Sequence, residues 1–585
     1  MRRLAIFILL AMVSALAVTA VLHANYPVLQ AAELLPDGER EKVALPWNFE
    51  EPAESRRLLV ELPARDSQPA IWRIVPDDEL RAIWVNDRFV SLDHIPKELL
   101  TNYWLGFHID LSEYLEPGEN RIVLQLTNHS GGGGLYVTPV PGLGAWIAMA
   151  AAFLPLLVGL GVLFRLRASQ LLVLVLALVP LLAYWADTSW FERAHDTIGI
   201  QGHIGYVEWV ATHLALPAPN AGWTYYHPPL YYIVGALAWK WAACFGIPAP
   251  ETLQALSLAL WLVFLAGSAG VLNMMLRDRA GLALLATAAI AAWPAGILHS
   301  VRLSNDAAYY AIAGAAAYYL VRWWRRQQGG DLWAFAVLTA LGLLAKTNAI
   351  VLVAAGGLLL LWRVWHPQAG RRGRAFGQLV GFSLVAATGL ALSLADNVYY
   401  YLQGLTPGWL VSNAGWLSPE LKVPVDALHM LGMDVHTFLT QPWIRAYEDA
   451  SGRGYFWNYL LRSSLSGEFD FPAPVQRDIA LMWGWGLLAL LVLGAVGAAR
   501  GGWQALAGRS STVYRHAPLI LLGVLAIASL MSLRVQAPYA PSNDFRYVMP
   551  MLLPFLLLCV RSGRIACWLL AGFIVSSAWF FLVPV

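Results

Sequence analysis

Three short polar clusters interrupt stretches that are otherwise apolar: Arg302, Asn305 and Asp306 in HSVRLSNDAAYY, Lys346 in LLAKTNAIVL, and Asp544, Arg546 and Tyr547 in PSNDFRYVMP. A carboxylate deep in hydrocarbon costs about 2.5 to 3.5 kcal/mol on insertion scales, so such groups are expected to face a cavity at an interface. Lys346 is a lone ammonium between two apolar runs and needs a partner, for which a phosphate is attractive; snorkelling to the interface accounts for it almost as well. Arg546 is the second phosphate candidate, because a planar guanidinium binds two oxygens at once. A local salt bridge with Asp544 is the bland alternative. Asp306 stays open between an acceptor molecule, a metal ion and Arg302 as partners, and a plain helix N-cap, a role that Asp fills well.

These clusters sit in a chain of 585 residues that is 58% hydrophobic and 13% charged, against roughly a quarter charged in a soluble domain. Apolar runs close to the roughly 20 residues that a crossing helix needs recur along most of it. The expected fold is a polytopic α-helical membrane protein with about thirteen spans, at 3–24, 143–164, 169–187, 252–275, 281–299, 306–323, 332–346, 349–363, 376–396, 479–499, 517–533, 547–561 and 564–583. The formal net charge of +2 comes with scattered arginines and no basic stripe, so nucleic acid is not an expected partner. Cys244, Cys559 and Cys567 lack metal-ligand spacing and predict neither disulfide nor zinc site. No glycine-rich phosphate loop occurs, so a soluble nucleotide is unsupported.

Residues 1–24 read as a membrane anchor, favoured over a cleaved signal peptide. Residues 25–141 change character: AIWRIV, RAIWVN and NRIVLQLTN alternate with period two between turn-rich PDDE and LEPGEN, which predicts an extracytoplasmic β-sandwich. Residues 142–585 then form the main membrane domain. Its arginine-rich loops, among them RLRASQ, LRDRAG and VRWWRRQQ, are expected on the cytoplasmic side of a bacterial-type inner or plasma membrane. Segments 188–251 and 397–478 become large outer loops. If HPPLYYIVGALAWKWAACF crossed the membrane, the next arginine loops would face outward, so this helix is expected to dip into the outer leaflet without crossing. Pro228 and Pro229 suit its start.

Two resemblances follow. The order of pieces from IWRIVPDDELRAIWVN to NRIVLQLTNHSGGGGL resembles the galactose-binding-like jelly roll attached to many carbohydrate-active enzymes, although Asp77, Asp78 and Trp84 serve equally as turn and core residues. Residues 169 to 585, with the outer loop WFERAHDTIGIQGHIGYVEW, the HPPL helix, RLSND and GLLAKTNA, resemble the GT-C superfamily of membrane glycosyltransferases, which includes protein O-mannosyltransferases and lipid A aminoarabinose transferases. The resemblance implies a polyprenyl-phosphate sugar as donor, an extracytoplasmic acceptor of unknown kind, and an active site on the outer face. It places the catalytic acid of the first outer loop at Asp196, a positioned general base for the attacking hydroxyl or amine, with Glu192 and Glu208 as competitors. His203 would orient the working carboxylate, and His227 serves orientation only. Lys346 or Arg546 would stabilise the departing phosphate; a divalent metal is optional. Aromatic-rich GYFWNYLLRSSLSGEFDF, with Arg462 and Glu468, looks like a lid over this site. The competing readings are a transporter or flippase of lipid-linked sugars, and a non-catalytic glycan-binding membrane scaffold.

Overall fold

The computed structural model describes residues 2–49, 53–65, 69–102, 105–129, 133–193, 202–366, 372–506 and 512–583. Helix α1 (Arg2–Asn25) leads into ten strands: β1 (Gln30–Leu34), β2 (Arg40–Val43), β3 (Trp47–Phe49), β4 (Ala53–Arg65), β5 (Ile71–Pro76), β6 (Glu79–Val85), β7 (Arg88–Val90), β8 (Phe107–Asp110), β9 (Gly118–Asn128) and β10 (Gly133–Val140). They form a six-stranded sheet ordered β2-β1-β4-β9-β6-β7 and a four-stranded sheet ordered β3-β10-β5-β8. Alternation builds the core. Leu58 and Val60 of β4 lie opposite Leu124 and Ile122 of β9, and all four pack with Trp72, Ile74, Leu135 and Val137 of the facing sheet. Arg40, Glu41 and Lys42 keep the β2 edge charged, which discourages pairing with another chain. Asp77 and Asp78 occupy the turn between β5 and β6, and Trp84 is only partly buried on β6.

The helices that follow are α2 (Leu143–Phe164), α3 (Ala168–Asp187), α4 (His203–His213), α5 (Leu230–Phe245), α6 (Ala249–Met275), α7 (Ala280–Ala291), α8 (Pro294–His299), α9 (Asn305–Arg326), α10 (Gly329–Ala345), α11 (Ile350–Trp365) and α12 (Arg372–Leu402). Short α13 (Ala427–Leu431) and α14 (Val435–Thr440) precede α15 (Phe456–Ser466), α16 (Pro474–Leu506), α17 (Thr512–Gln536), α18 (Leu552–Arg561) and α19 (Arg564–Leu582). Ten described helices are long and apolar enough to cross a membrane, not thirteen. The expected span 281–299 breaks before Pro294, which has no N–H to continue α7 and instead opens α8. Helix α10 is short, and α9 carries Asp306, four tyrosines and three arginines; it is buried along most of its length, so its neighbours rather than its own side chains meet lipid. The run expected at 547–561 starts as 3₁₀ turns over Phe545–Met551 and becomes α-helical only at Leu552.

Two contacts fix the site's walls. A Cβ on Gly267 of α6 would lie 2.6 Å from the Gly314 backbone of α9, and one on Gly314 would lie 2.8 Å from the Phe264 carbonyl, so only glycines permit this helix–helix approach. Helix α1 packs along α2, with Ser14 Oγ donating to the Ala152 carbonyl at 2.6 Å. Near the end of α1, Thr19 Oγ1 accepts from Trp241 Nε1 at 2.8 Å, and His23 Nδ1 meets the Phe245 carbonyl at 3.0 Å. Helix α5 therefore ends beside the last turns of α1. It begins beside His203, whose Nδ1 meets the Tyr232 hydroxyl at 2.8 Å, near the start of α9.

Candidate functional site

The polar centre gathers where α9 starts, α10 ends and the 3₁₀ turns precede α18. Ser304 caps α9 by accepting from the Asp306 N–H at 3.3 Å, so Asp306 is not the cap; it sits in the first turn with its carboxylate free to turn inward. There Asp306 Oδ1 accepts from Lys346 Nζ at 2.6 Å, both side chains buried. Lys346 leaves the end of α10 in extended backbone, which aims the ammonium across the bundle and places it 4.9 Å from the Tyr547 ring centroid. Asn348 Nδ2 donates to the Tyr547 carbonyl at 3.1 Å. Arg546 Nη2 donates to the Tyr547 hydroxyl at 3.1 Å, and its Nε stands 3.3 Å from Asp544 Oδ2. Asp544 also caps its own turn, accepting from the Arg546 N–H at 3.1 Å.

Arg302 and Asn305 join this group, both buried. Arg302 Nη1 lies 3.4 Å from His299 Nδ1, and its guanidinium rests 5.0 Å from the Phe469 ring centroid. The Asn305 amide finds no hydrogen-bond partner on either atom among the described residues. His203 stacks on His227 at 5.7 Å between ring centroids; burial first, then His227 and Lys346, hold its imidazole well below the usual range, hence neutral. One further member was visible in the sequence only as part of an aromatic loop. Glu468 accepts from the Tyr459 hydroxyl, and burial, with Asp544 adding to it, pushes its carboxyl up to about 7 despite Arg546 and Arg302. A carboxyl with that affinity exchanges protons near neutrality.

The three acids of the first outer loop separate. Asp196 lies outside the described residues. Glu208 is exposed on α4. Glu192 is consumed by the sandwich: its two oxygens accept from Arg73 Nε and Nη2 of β5, each at 2.5 Å, and also from the Gly106 and Ser189 N–H groups at 2.6 and 2.8 Å. Burial alone would raise its carboxyl, but Arg73 overrides this and holds it at about 2. A carboxylate so paired is a poor base. Arg73 Nη1 further donates to His108 Nε2 at 2.8 Å. Beside it, Trp190 Nε1 donates to the Tyr136 hydroxyl at 2.7 Å, which donates to Glu251 of α6 at 3.0 Å. This seam joins the four-stranded sheet to the helices.

Two cavities flank the centre. One of about 480 Å³ opens between α9, α11 and α17, lined by Tyr309, Val351, Leu525 and Leu533 and reaching Asn348 and Tyr547. The other, of about 280 Å³, lies on the His227 side, with Tyr206, Tyr225, Asp396 and Tyr399. Among the described residues no three His, Cys, Asp or Glu side chains converge as a metal site requires. No protein-family model and no curated protein matches the chain. Among solved structures it is similar to ArnT from Cupriavidus metallidurans bound to undecaprenyl phosphate, at 16% identity and a TM-score of 0.30 over 72% of this chain and 78% of that one. It is likewise similar to ArnT from the same organism in the apo state, at 15% identity and a TM-score of 0.29 over 69% and 77%. At that similarity the likeness decides nothing about this chain.

Proposed function

We propose that this protein is an integral-membrane glycosyltransferase that moves a sugar from a polyprenyl-phosphate donor to an extracytoplasmic acceptor, with inversion at the anomeric carbon. The observation that carries the reading is the abutment of an apolar cavity between helices with a buried cationic centre. Tyr547 and Asn348 line the 480 Å³ cavity, and Lys346 stands over the Tyr547 ring. An isoprenoid chain would lie among Leu525, Leu533 and Val351, and its phosphate would meet Lys346 and Arg546. Asp306 aims the ammonium, and Asp544 the guanidinium. As the sugar–phosphate bond breaks, charge grows on the departing phosphate, and fixed cations in a dry site stabilise it. Asp196 is the general base that takes the acceptor's proton; neutral His203, with His227 stacked on it, stands on the acceptor side, and Arg302 and Asn305 contact substrate.

The donor assignment is tested by steady-state kinetics with a polyprenyl-phosphate sugar. Lys346→Ala and Arg546→Ala are each expected to raise the donor KM by about 10- to 150-fold, the worth of a charged hydrogen bond of about 1.5 to 3 kcal/mol. Unchanged donor dependence in both variants removes these cations from the donor site.

A further inference from the structure

Arg193 closes the seam segment, and its side chain is fully buried. Its Nε, Nη1 and Nη2 nevertheless find no hydrogen-bond acceptor among the described residues. The carboxylate that pairs with it, Asp187, stands 3.9 Å away and offers its other oxygen to Arg73 at the same distance. Arg302 repeats the pattern: it is buried, its Nη2 lacks an acceptor, and its Nη1 has only the His299 ring nitrogen at 3.4 Å. Both guanidiniums lie within electrostatic reach of the Tyr184 hydroxyl on α3. Each is covered by a phenylalanine of the same loop, Arg193 by Phe471 at 4.4 Å and Arg302 by Phe469 at 5.0 Å from the ring centroids. The alternation in GEFDF thus serves two arginines at once.

Burying a guanidinium without acceptors costs several kcal/mol, and this fold does it twice in one neighbourhood. The surrounding acids act on both guanidiniums through space but accept no hydrogen bond from the atoms left over. Glu192 is taken by Arg73, Asp306 by Lys346, and Glu468 by Tyr459, while Asp544 stands beside Arg546. We infer that Arg193 and Arg302 form a buried anion site for a phosphate group, walled by Phe469 and Phe471, at the edge of the polar centre to which Arg302 also belongs. Two guanidiniums supply two charges and more N–H donors than a carboxylate's two oxygens use, which matches a phosphomonoester dianion. The phosphate's source is either the free ion or a lipid headgroup. Arg302 is shared with the proposed transferase site, but the test involves no turnover and so is decided apart from that reading.

The test uses the full chain in detergent, with inorganic phosphate and farnesyl phosphate as probes. Without either, Arg193→Met is expected to change the thermal unfolding midpoint little, because relief of a buried guanidinium without hydrogen-bond acceptors offsets the lost 3.9 Å pairing with Asp187. With either, the variant should bind at least about 10-fold more weakly than the unsubstituted protein, as loss of a charged hydrogen bond requires. Loss for both probes marks a site open to the free ion; loss for farnesyl phosphate, with no inorganic phosphate binding, marks a lipid headgroup site. Binding curves for both probes that coincide with those of the unsubstituted protein overturn the assignment.

Discussion

The seam under the β-sandwich and the polar centre beside it use the same residue types and finish them differently. At the seam, Arg73 meets both oxygens of Glu192 and the His108 ring, and Glu192 accepts from two backbone N–H groups besides. In the centre, Asn305 and Arg302 keep polar atoms without hydrogen-bond partners among the described residues, as does Arg193 where the seam segment meets it. Buried polar groups are almost always paired, so each exception needs a reason. A complete network holds two bodies in one relative position. An incomplete one leaves interaction energy to be made with something else, and that contrast, more than the presence of charge, separates a structural cluster from a candidate site.

The contrast breaks most sharply on the acids. Asp196→Asn keeps the shape and removes the basicity, so turnover should fall by about 10² to 10⁴ with expression and donor binding nearly intact. Glu192→Gln should instead act on stability. Should Asp196→Asn turn over normally while Glu468→Gln fails in the same reconstituted assay, the base belongs to the centre and not to the outer loop. Next in size, Arg73→Ala strands a buried carboxylate and should cost about 3 to 5 kcal/mol, whereas replacing Arg73 and Glu192 together by methionine should be nearly neutral. Denaturation in detergent measures both; equal losses in the single and double variants would mean that packing, not pairing, holds the seam.

The smallest effect separates the two regions by pH. Glu192, held at about 2, is ionised in the folded chain where the unfolded chain still binds a proton. Its contribution is therefore full above the ordinary carboxylate range and is lost as pH falls toward 2. Glu468, raised from 4.5 to about 7, keeps its proton when folded over a range in which the unfolded chain releases it. Stability should accordingly decline as pH rises from 4.5 to 7, and Glu468→Gln should flatten that decline. An unchanged slope in the variant refutes the raised proton affinity.

Period-two alternation made the sandwich readable, and long apolar runs made most of the helices so. The three spans that do not qualify fail for reasons a hydropathy window misses. Pro294 breaks one, α10 is short, and α9 is shielded by its neighbours and so carries tyrosines and arginines. The polar residues at helix ends were recognisable because charge is rare in apolar sequence, and Arg302, Asp306, Lys346 and Arg546 do come together. Their partners were not: Lys346 pairs with Asp306 across 40 positions and Arg73 with Glu192 across 119, distances over which spacing says nothing. Glu468 escaped as a site residue because only burial gives it an unusual proton affinity.

The antiparallel pairing of α1 with α2 has a consequence for the order of assembly. These two helices touch along their lengths, yet residues 26–142 lie between them. Closing so long a loop as unstructured chain costs about 4 kcal/mol in entropy. Once the sandwich has folded, its first and last strands already bring the two ends toward the same surface, and most of that cost is gone. The same argument reaches α5, whose Trp241 meets Thr19 only after a further stretch of chain has been made. Helix α1 thus finds all its neighbours only after α2 and α5 have been made, and the sandwich is what keeps its place open.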